Sequence, residues 1–257
     1  MNTSPPTAHY RSVFTPDLLK GQVLMVTGGG SGIGRCTAHE LASLGAHVVL
    51  VGRNPDKLTA TAQEITSDGG QASWHSTDIR NEGDVKAMVA QVVQQHGRIH
   101  GLVNNAGGQY ISPLAKTGAK GWQAVIDTNL TGGFLVAREC FNQSMQAHGG
   151  AVVNIVADMW GSMPGMGHSG AARAGMLNFT ETAALEWAPV RSNADLIKQL
   201  QTFAAKTPQP EVQIRGDAKT DFEAVGRVLY AAQVAGLTKV RFVTDPQGQS
   251  ATSPQGK

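Results

Sequence analysis

The sequence predicts an α/β fold in which helices cover both faces of a doubly wound parallel sheet. Between residues 23 and 156, five short apolar runs alternate with longer amphipathic segments. Strands that alternate with helices are typical of βαβ units, and such units build parallel sheets. A glycine-rich turn directly after the first predicted strand also favours this fold class.

Each element has its own pattern in the chain. The strands are predicted at "VLMVTG", "HVVLVGR", "ASWHSTDI", "GLVNNAG" and "GAVVNIV", because these runs are short, apolar and rich in valine. The helices are predicted over 33–45, over "DKLTATAQEITSDGG" with its glycine stop, and over about 82–96, 119–145 and 170–187. Cys36 and Cys140 lie within helical stretches, and we expect both to be buried free thiols.

The composition excludes several classes of partner. Hydrophobic residues make up 41% of the 257 residues and charged residues 16%, as in ordinary globular proteins. A net charge of +2 gives no reason to expect a nucleic-acid partner. No run of about 18 apolar residues and no signal-peptide pattern occurs, so we expect no membrane insertion and a cytoplasmic protein.

The segment "VTGGGSGIGR" predicts a dinucleotide site. Its glycines Gly28, Gly32 and Gly34 stand between a strand and a helix, together with Ser31 and Ile33. Such a turn lets the backbone approach a pyrophosphate, whose charge the N–H groups at the helix start can accept. The alternative is a plain strand-to-helix turn, which the position after the first strand disfavours.

The residues after the second and third strands bear on which dinucleotide binds. Arg53 can form charge-assisted bonds to a 2′-phosphate, so NADP is preferred over NAD, although a solvated loop arginine is the alternative. Asp78 can accept a bond from the adenine amino group, or it can cap the helix that starts near Asn81.

Several ordered motifs together resemble one family. "TGGGSGIG", "TDI", "NNAG" at 104–107, "TNL" around Asn129 and "VVNI" are similar to the short-chain dehydrogenase/reductase family over about residues 15–191. "VNNAGGQYISP" and "HSGAARAG" look most like its peroxisomal trans-2-enoyl-CoA reductase branch and the bacterial relatives of that branch. The resemblance implies a Rossmann-type fold, NADPH as reductant, an acyl-thioester substrate, Asn105, Ala106 and Gly107 beside the cofactor, and a homo-oligomer by analogy.

The resemblance also implies a catalytic set, from which this chain departs. Relatives that oxidise alcohols use Asn, Ser, Tyr and Lys, but here Ser169 stands at the Tyr position and Arg173 at the Lys position. Asn129, Ser169 and Arg173 are the candidates for stabilising a thioester enolate, and Arg173 can also hold the cofactor ribose. His168 and Tyr110 are the candidate proton donors, each with a purely structural role as the alternative.

After residue 191 the pattern of the family stops. We therefore expect the reductase sheet to be truncated after its fifth strand, with a seam between Pro189 and Asp195. The segment 195–246 resembles the periplasmic domain of the ExbD/TolR family, with helix, strand, helix and strand in that order. The alternative is a tail that completes the sheet. The predicted organisation is a mobile tail at 1–14, domains at 15–191 and 195–246, and a mobile tail at 247–257.

Three functions fit these observations. The first is an NADPH-dependent oxidoreductase of enoyl-CoA reductase type. The second is a catalytically impaired nucleotide-binding scaffold, which the absent Tyr and Lys favour. The third is an interaction module, in which the ExbD/TolR-like segment serves an energy-transducing membrane complex.

Overall fold

The computed structural model describes residues 12–187, 193–215 and 222–243. The predicted tails at 1–14 and 247–257 lie outside the described residues except for 12–14, and so does 188–192, which covers most of the predicted seam. The chain divides into two compact units, Met1–Trp187 and Ala188–Lys257.

The first unit contains the predicted parallel sheet of five strands, in the order β3-β2-β1-β4-β5. The strands are β1 (Val23–Thr27), β2 (His47–Gly52), β3 (Gln71–Ser76), β4 (Gly101–Asn104) and β5 (Ala151–Asn154). Every pairing is parallel; Met25, for example, is opposite Val49 on one side and Leu102 on the other. The carboxyl ends of all five strands therefore meet at one edge of the sheet.

Helices connect these strands as the hydrophobic periodicity predicts. They are α1 (Gly32–Ser43), α2 (Pro55–Ser67), α3 (Glu82–His96), α4 (Ala119–Ile126), α5 (Gly132–Cys140), α6 (Gln146–His148) and α7 (Gly167–Glu186). Asn54 caps α2 by accepting a bond from Lys57 N, and Asn81 caps α3 by accepting bonds from Gly83 N and Asp84 N. Each cap satisfies backbone donors that the first turn of a helix leaves free.

Alternate side chains of β1 and β2 enter two separate cores, one on each face of the sheet. Met25 and Val49 belong to the core that packs under α3 and α5. Leu24 and Val48 belong to the core that packs under α1 and α2. Burying one such side chain contributes about 1.5–3 kcal/mol to the stability of the fold. The two cores therefore hold the sheet rigidly, and the residues at its edge keep fixed positions.

The region 119–145 is helical as predicted, and π-helical turns at Asp127–Thr131 and Phe141–Met145 divide it. One expectation about the helices was wrong. Cys36 is exposed, whereas Cys140 is buried as expected. The buried positions of α1 follow a four-residue spacing through Gly34, Ala38 and Ala42, which leaves Cys36 on the opposite side of the helix.

The second unit contains the four elements predicted for it. These are α8 (Asn193–Ala204), β6 (Val212–Arg215), α9 (Phe222–Val234) and β7 (Val240–Val243). The two strands pair in parallel as a sheet of their own, with Val212 opposite Val240. Among the described residues of this unit, the buried apolar side chains are Ile214, Ala231, Ala232, Ala235 and Leu237.

Two further properties concern the described residues as a whole. Their helices are either too short or too polar to cross a bilayer. Their His, Cys, Asp and Glu side chains form no cluster of three that is arranged to hold a metal ion.

Candidate active site

The candidate site is a cleft of about 220 Å³ at the carboxyl edge of the five-stranded sheet. In open parallel sheets, ligands bind in the crevice where the strand order reverses, which here is between β1 and β4. The residues that line the cleft are Gly28, Gly30, Ser31, Val51, Gly52, Arg53, Asn54, Lys57, Leu58, Thr77, Asp78, Ile79, Arg80, Ala106, Gly107 and Thr128.

The glycine-rich turn forms the floor of the cleft at the start of α1. Gly28 has a φ of +69°, which L side chains rarely adopt, and its N–H donates to Val51 O at 2.7 Å. A Cβ on Gly34 would lie 2.3 Å from Gly28 O, so only glycine lets the helix approach the turn this closely. Ser31 precedes α1 without a side-chain capping bond, and Ile33 is 65% exposed beside it.

Thr27, at the end of β1, ties the "NNAG" segment to the glycine-rich turn. Its Oγ1 accepts bonds from Asn105 N and Ala106 N, each at 3.0 Å. Asn105 Nδ2 donates back to Thr27 O at 3.0 Å. Thr27 is almost fully buried, and these three bonds fix Asn105 and Ala106 against the first strand. Thr27 was not among the predicted site residues, although its position as the last residue of β1 indicates a place at the edge of the cleft.

Two cationic side chains lie where the adenosine end of a dinucleotide would bind. Arg53 follows β2 directly, Lys57 lies in the first turn of α2, and both line the cleft. Within the described ranges, neither side chain forms a salt bridge, so both charges remain free to bind an anion. Lys57 was not among the predicted site residues.

Asp78 lies in the cleft, as the interpretation that it accepts a bond from the adenine amino group requires. The capping interpretation is wrong, because Asn81 caps α3. Arg80 Nε donates to Asp78 Oδ1 at 2.9 Å, and this side-chain bond, against the opposing effect of burial, lowers the pKa of the Asp78 carboxyl. Asp78 is therefore a carboxylate whose charge is largely balanced by Arg80.

At the other end of the cleft, the segment Gly107, Gly108, Gln109 and Tyr110 forms a loop that we call the 107–110 loop. Asn129, in the first π-helical turn, holds this loop by two bonds. Its Nδ2 donates to Gly108 O, and its Oδ1 accepts from Gly108 N, both at 2.8 Å. Asn129 is only 2% exposed, so its amide faces the loop rather than open solvent.

Two other predicted catalytic residues also support the 107–110 loop. Ser169 is fully buried, and its Oγ donates to Gln109 Oε1 at 2.6 Å. His168 is 1% exposed, and its ring packs edge-on against Tyr110 with the centroids 4.6 Å apart. Because His168 Nδ1 accepts a bond from Ser169 N, the proton of the neutral ring is on Nε2, away from that bond.

Tyr110 is the exposed member of the predicted proton-donor pair. It is 42% exposed, and its hydroxyl lies so close to α4 that a Cβ on Gly121 would be 1.9 Å away. The structure thus brings Tyr110, Ser169, His168 and Asn129 together around one loop, although only Tyr110 reaches its surface.

Arg173 joins the loop to the end of β5. Its Nη1 donates to Ile155 O at 2.8 Å, and a Cβ on Gly107 would lie 2.5 Å from its Nη2. The buried Nε has no hydrogen-bond partner within the described part of the chain. Burial lowers the pKa of the guanidinium, which nevertheless stays charged at neutral pH. This half-buried cation beside Gly107 forms no salt bridge among the described residues, so its charge is suited to stabilise an anionic group.

Comparison with known proteins identifies the family. A family model described as short chain dehydrogenase matches residues 22–204, well over half of the chain. The chain belongs to the short chain dehydrogenase family. A second family model, Biopolymer transport protein ExbD/TolR, matches residues 176–247. This match confirms the resemblance of the C-terminal segment and supports a chimeric origin, and the two matches overlap around the predicted seam.

Relatives of this chain include proteins named as 2,4-dienoyl-CoA reductases. A probable 2,4-dienoyl-CoA reductase of Bacillus subtilis is 37% identical over 184 residues, which are 68% of this chain and 71% of that protein. The peroxisomal 2,4-dienoyl-CoA reductase of Mus musculus is 35% identical over 70% of this chain, and this match spans only 62% of the mouse enzyme.

A solved structure is also similar to this short chain dehydrogenase. The citronellol catabolism dehydrogenase of Pseudomonas aeruginosa PAO1 is 48% identical, with a TM-score of 0.68. The match covers 91% of this chain and 98% of that chain. It supports the assignment of the five-stranded sheet and its helices to the fold of this family.

Proposed function

We propose that the protein is an NADPH-dependent reductase of a carbon–carbon double bond conjugated to an acyl thioester. The observation that carries the proposal is Arg173, a half-buried guanidinium beside the 107–110 loop whose Nε lacks a partner in the described chain. Addition of hydride to such a double bond puts negative charge on the thioester oxygen, and a preorganised cation stabilises that charge. The reductases among the relatives, which act on acyl-CoA by name, support the same substrate class.

The residues of the cleft fit a nicotinamide dinucleotide. Gly28 and Gly34 let the turn, α1 and Asn105 pack closely together, and Gly28, Gly30 and Ser31 line the cleft at the N-terminus of α1, where free N–H groups can bind a pyrophosphate. Arg53 and Lys57 supply two charges for a 2′-phosphate, which is the basis for proposing NADPH rather than NADH. Asn105, Ala106 and Gly107 would line the path from the pyrophosphate to the nicotinamide.

The chemistry assigns separate roles to the side chains of the loop region. The bound dinucleotide supplies the hydride. Arg173 stabilises the negative charge that develops on the thioester oxygen, and Tyr110 donates a proton from its exposed phenol to the adjacent carbon. Asn129, Ser169 and His168 hold the loop that carries Tyr110.

An apolar surface beside the loop supports an acyl substrate. Ile111, Leu114 and Trp160 are 84%, 64% and 75% exposed. Ser112 N donates to Gly165 O at 2.7 Å, which joins the segment containing Ile111 to the segment that follows Trp160. Exposed apolar side chains grouped beside a polar cleft are typical of a binding surface for a chain-like ligand.

A second candidate is a nucleotide-binding scaffold without turnover. The burial of Asn129, Ser169 and His168 favours it, because none of these side chains reaches solvent in the described structure. The homo-oligomer expected by analogy stays a prediction for either candidate.

One assay separates the two candidates. The full chain is incubated with NADPH and crotonyl-CoA, or with a 2,4-dienoyl-CoA, and the loss of absorbance at the nicotinamide band is followed. We expect reduction of the thioester, with NADPH preferred over NADH. Tight NADPH binding by calorimetry without any reduction would instead support the scaffold, and absence of binding would contradict both.

A further inference from the structure

We propose that Gln109 supplies the hydrogen-bond donor that the thioester oxygen meets in this site, in place of the tyrosine hydroxyl of alcohol-oxidising relatives. This inference rests on the proposed function and names a residue that the catalytic pattern of the family does not include. The carrying observation is the bond from Ser169 Oγ to Gln109 Oε1, 2.6 Å long.

The difference in burial between Ser169 and Gln109 decides which of the two can contact a substrate. Ser169 occupies the position where those relatives have a tyrosine, yet it is 0% exposed and its hydroxyl proton is committed to Gln109. Gln109 is exposed and lies two residues after Gly107, which lines the cleft. The polar group at the surface above Ser169 is therefore the carboxamide of Gln109.

The geometry of a carboxamide then sets the direction of its donor. Oε1 and Nε2 diverge from the same planar carbon, so a bond that holds Oε1 against buried Ser169 turns Nε2 outward. Among the described residues, no hydrogen bond uses Gln109 Nε2, while Asn129 fixes the neighbouring Gly108 by two bonds. The donor is thus positioned before a ligand arrives, which is the condition under which it stabilises developing charge.

Arg173 complements this donor on the other side of Gly107. Its Nη2 lies against the Gly107 Cα, and its bond to Ile155 O holds the guanidinium there. An oxygen near Gly107 would then meet one neutral donor and one cation. An acyl-thioester carbonyl fits this pair, because its oxygen accepts two bonds and gains negative charge during hydride addition.

The test uses the full chain with two substitutions of Gln109 that both remove its N–H donor. Gln109→Glu keeps an acceptor for Ser169 Oγ but removes the N–H donor, and Gln109→Met keeps the length but removes both functions. We expect each to lower kcat/KM for crotonyl-CoA reduction about 100-fold, the usual loss for one oxyanion donor. NADPH affinity should stay within about twofold of the parent. Ser169→Ala, which leaves the donor but removes its anchor, should cost about tenfold.

The pH profile provides a readout that a purely structural role would not move. Below about pH 5 the introduced carboxyl of Gln109→Glu becomes protonated and can donate a bond, so part of the lost activity should return. Parent-like kcat/KM in Gln109→Glu at neutral pH, or an equal loss in both substitutions without recovery in acid, would overturn the role of Gln109 while leaving the reductase assignment intact.

A binding measurement covers the case in which the parent protein fails to reduce any thioester. Calorimetry of butyryl-CoA with the NADP⁺-loaded protein should then show binding that Gln109→Met weakens at least fivefold. That result would retain Gln109 as a thioester donor and remove only the proposed turnover. Absence of butyryl-CoA binding, or equal binding by both proteins, would overturn the inference.

Discussion

In the proposed function, the two ends of the cleft would recognise their ligands by different means. At the proposed cofactor end, the backbone itself would be the binding surface, and Gly28 and Gly34 allow it because a Cβ on Gly28 would meet Asn105 and a Cβ on Gly34 would meet Gly28 O. At the other end, buried side chains hold the 107–110 loop, and this loop would present the groups that face the substrate. Asn129, Ser169 and His168 each contact one residue of the 107–110 loop. The cofactor end therefore requires positions without a side chain, whereas the loop end requires buried side chains that point toward the loop.

The largest effect is expected from a methyl group at the cofactor end. Gly34→Ala puts a Cβ 2.3 Å from Gly28 O and 2.5 Å from Asn105 Nδ2, so the backbone of the turn must move. We expect the free energy of unfolding to fall by about 1–3 kcal/mol. NADPH binding, measured by calorimetry, should weaken roughly a hundredfold, or about 2.7 kcal/mol.

Gly32→Ala is the matched control for this prediction. Gly32 has a φ of +53°, but a Cβ there meets no atom within 4 Å. The cost should be limited to conformational strain of about 1–2 kcal/mol in thermal unfolding. If Gly34→Ala unfolds and binds NADPH like the parent, close approach of the backbone is not what the cofactor end requires.

An intermediate effect is expected when the loop loses its firmest anchor. Asn129→Ala removes two bonds of 2.8 Å to Gly108, which should lower the free energy of unfolding by about 2 kcal/mol. Thioester reduction should fall at least tenfold, because the 107–110 loop is no longer held in place. NADPH affinity should change less than threefold, since Gly28 and Gly34 are untouched.

Asn154→Ala separates the loop effect from simple destabilisation. The Asn154 side chain bonds to Asn104 and Thr180 within the same unit, but not to the 107–110 loop. It should therefore destabilise the protein similarly while reducing activity far less. Equal losses of activity in both variants would mean that Asn129 acts through stability alone.

The two ends of the cleft also differ in how much of their structure could be predicted from the sequence. The strands, most helices and the glycine-rich turn follow from periodicity and from local geometry, since a turn such as Gly28 to Gly34 is specified by residues close together in the chain. The direction in which the Ser169 hydroxyl points could not be predicted from nearby residues. It depends on Gln109, sixty positions earlier, and on burial by surrounding elements.

Position in a motif therefore predicts where a backbone lies better than what its side chain contacts. Ser169 and Asn129 were predicted as groups that meet the substrate, whereas Gln109, Thr27 and Lys57 were not predicted at all. Cys36 illustrates the same limit on a smaller scale, because an apolar helix has an exposed side as well as a buried one.

The smallest effect concerns the choice of cofactor. Arg53→Ala removes a cleft charge that the structure leaves without a salt bridge among the described residues, but Lys57 remains nearby and offsets part of the loss. We therefore expect NADPH affinity to fall only about tenfold, while NADH affinity stays unchanged because NADH lacks the 2′-phosphate. Lys86→Ala removes the same charge from α3, outside the cleft, and controls for the overall field of the protein. A parallel loss of NADPH and NADH affinity in Arg53→Ala would show that Arg53 acts on the shared part of the dinucleotide, and the preference for NADPH would then have to come from Lys57.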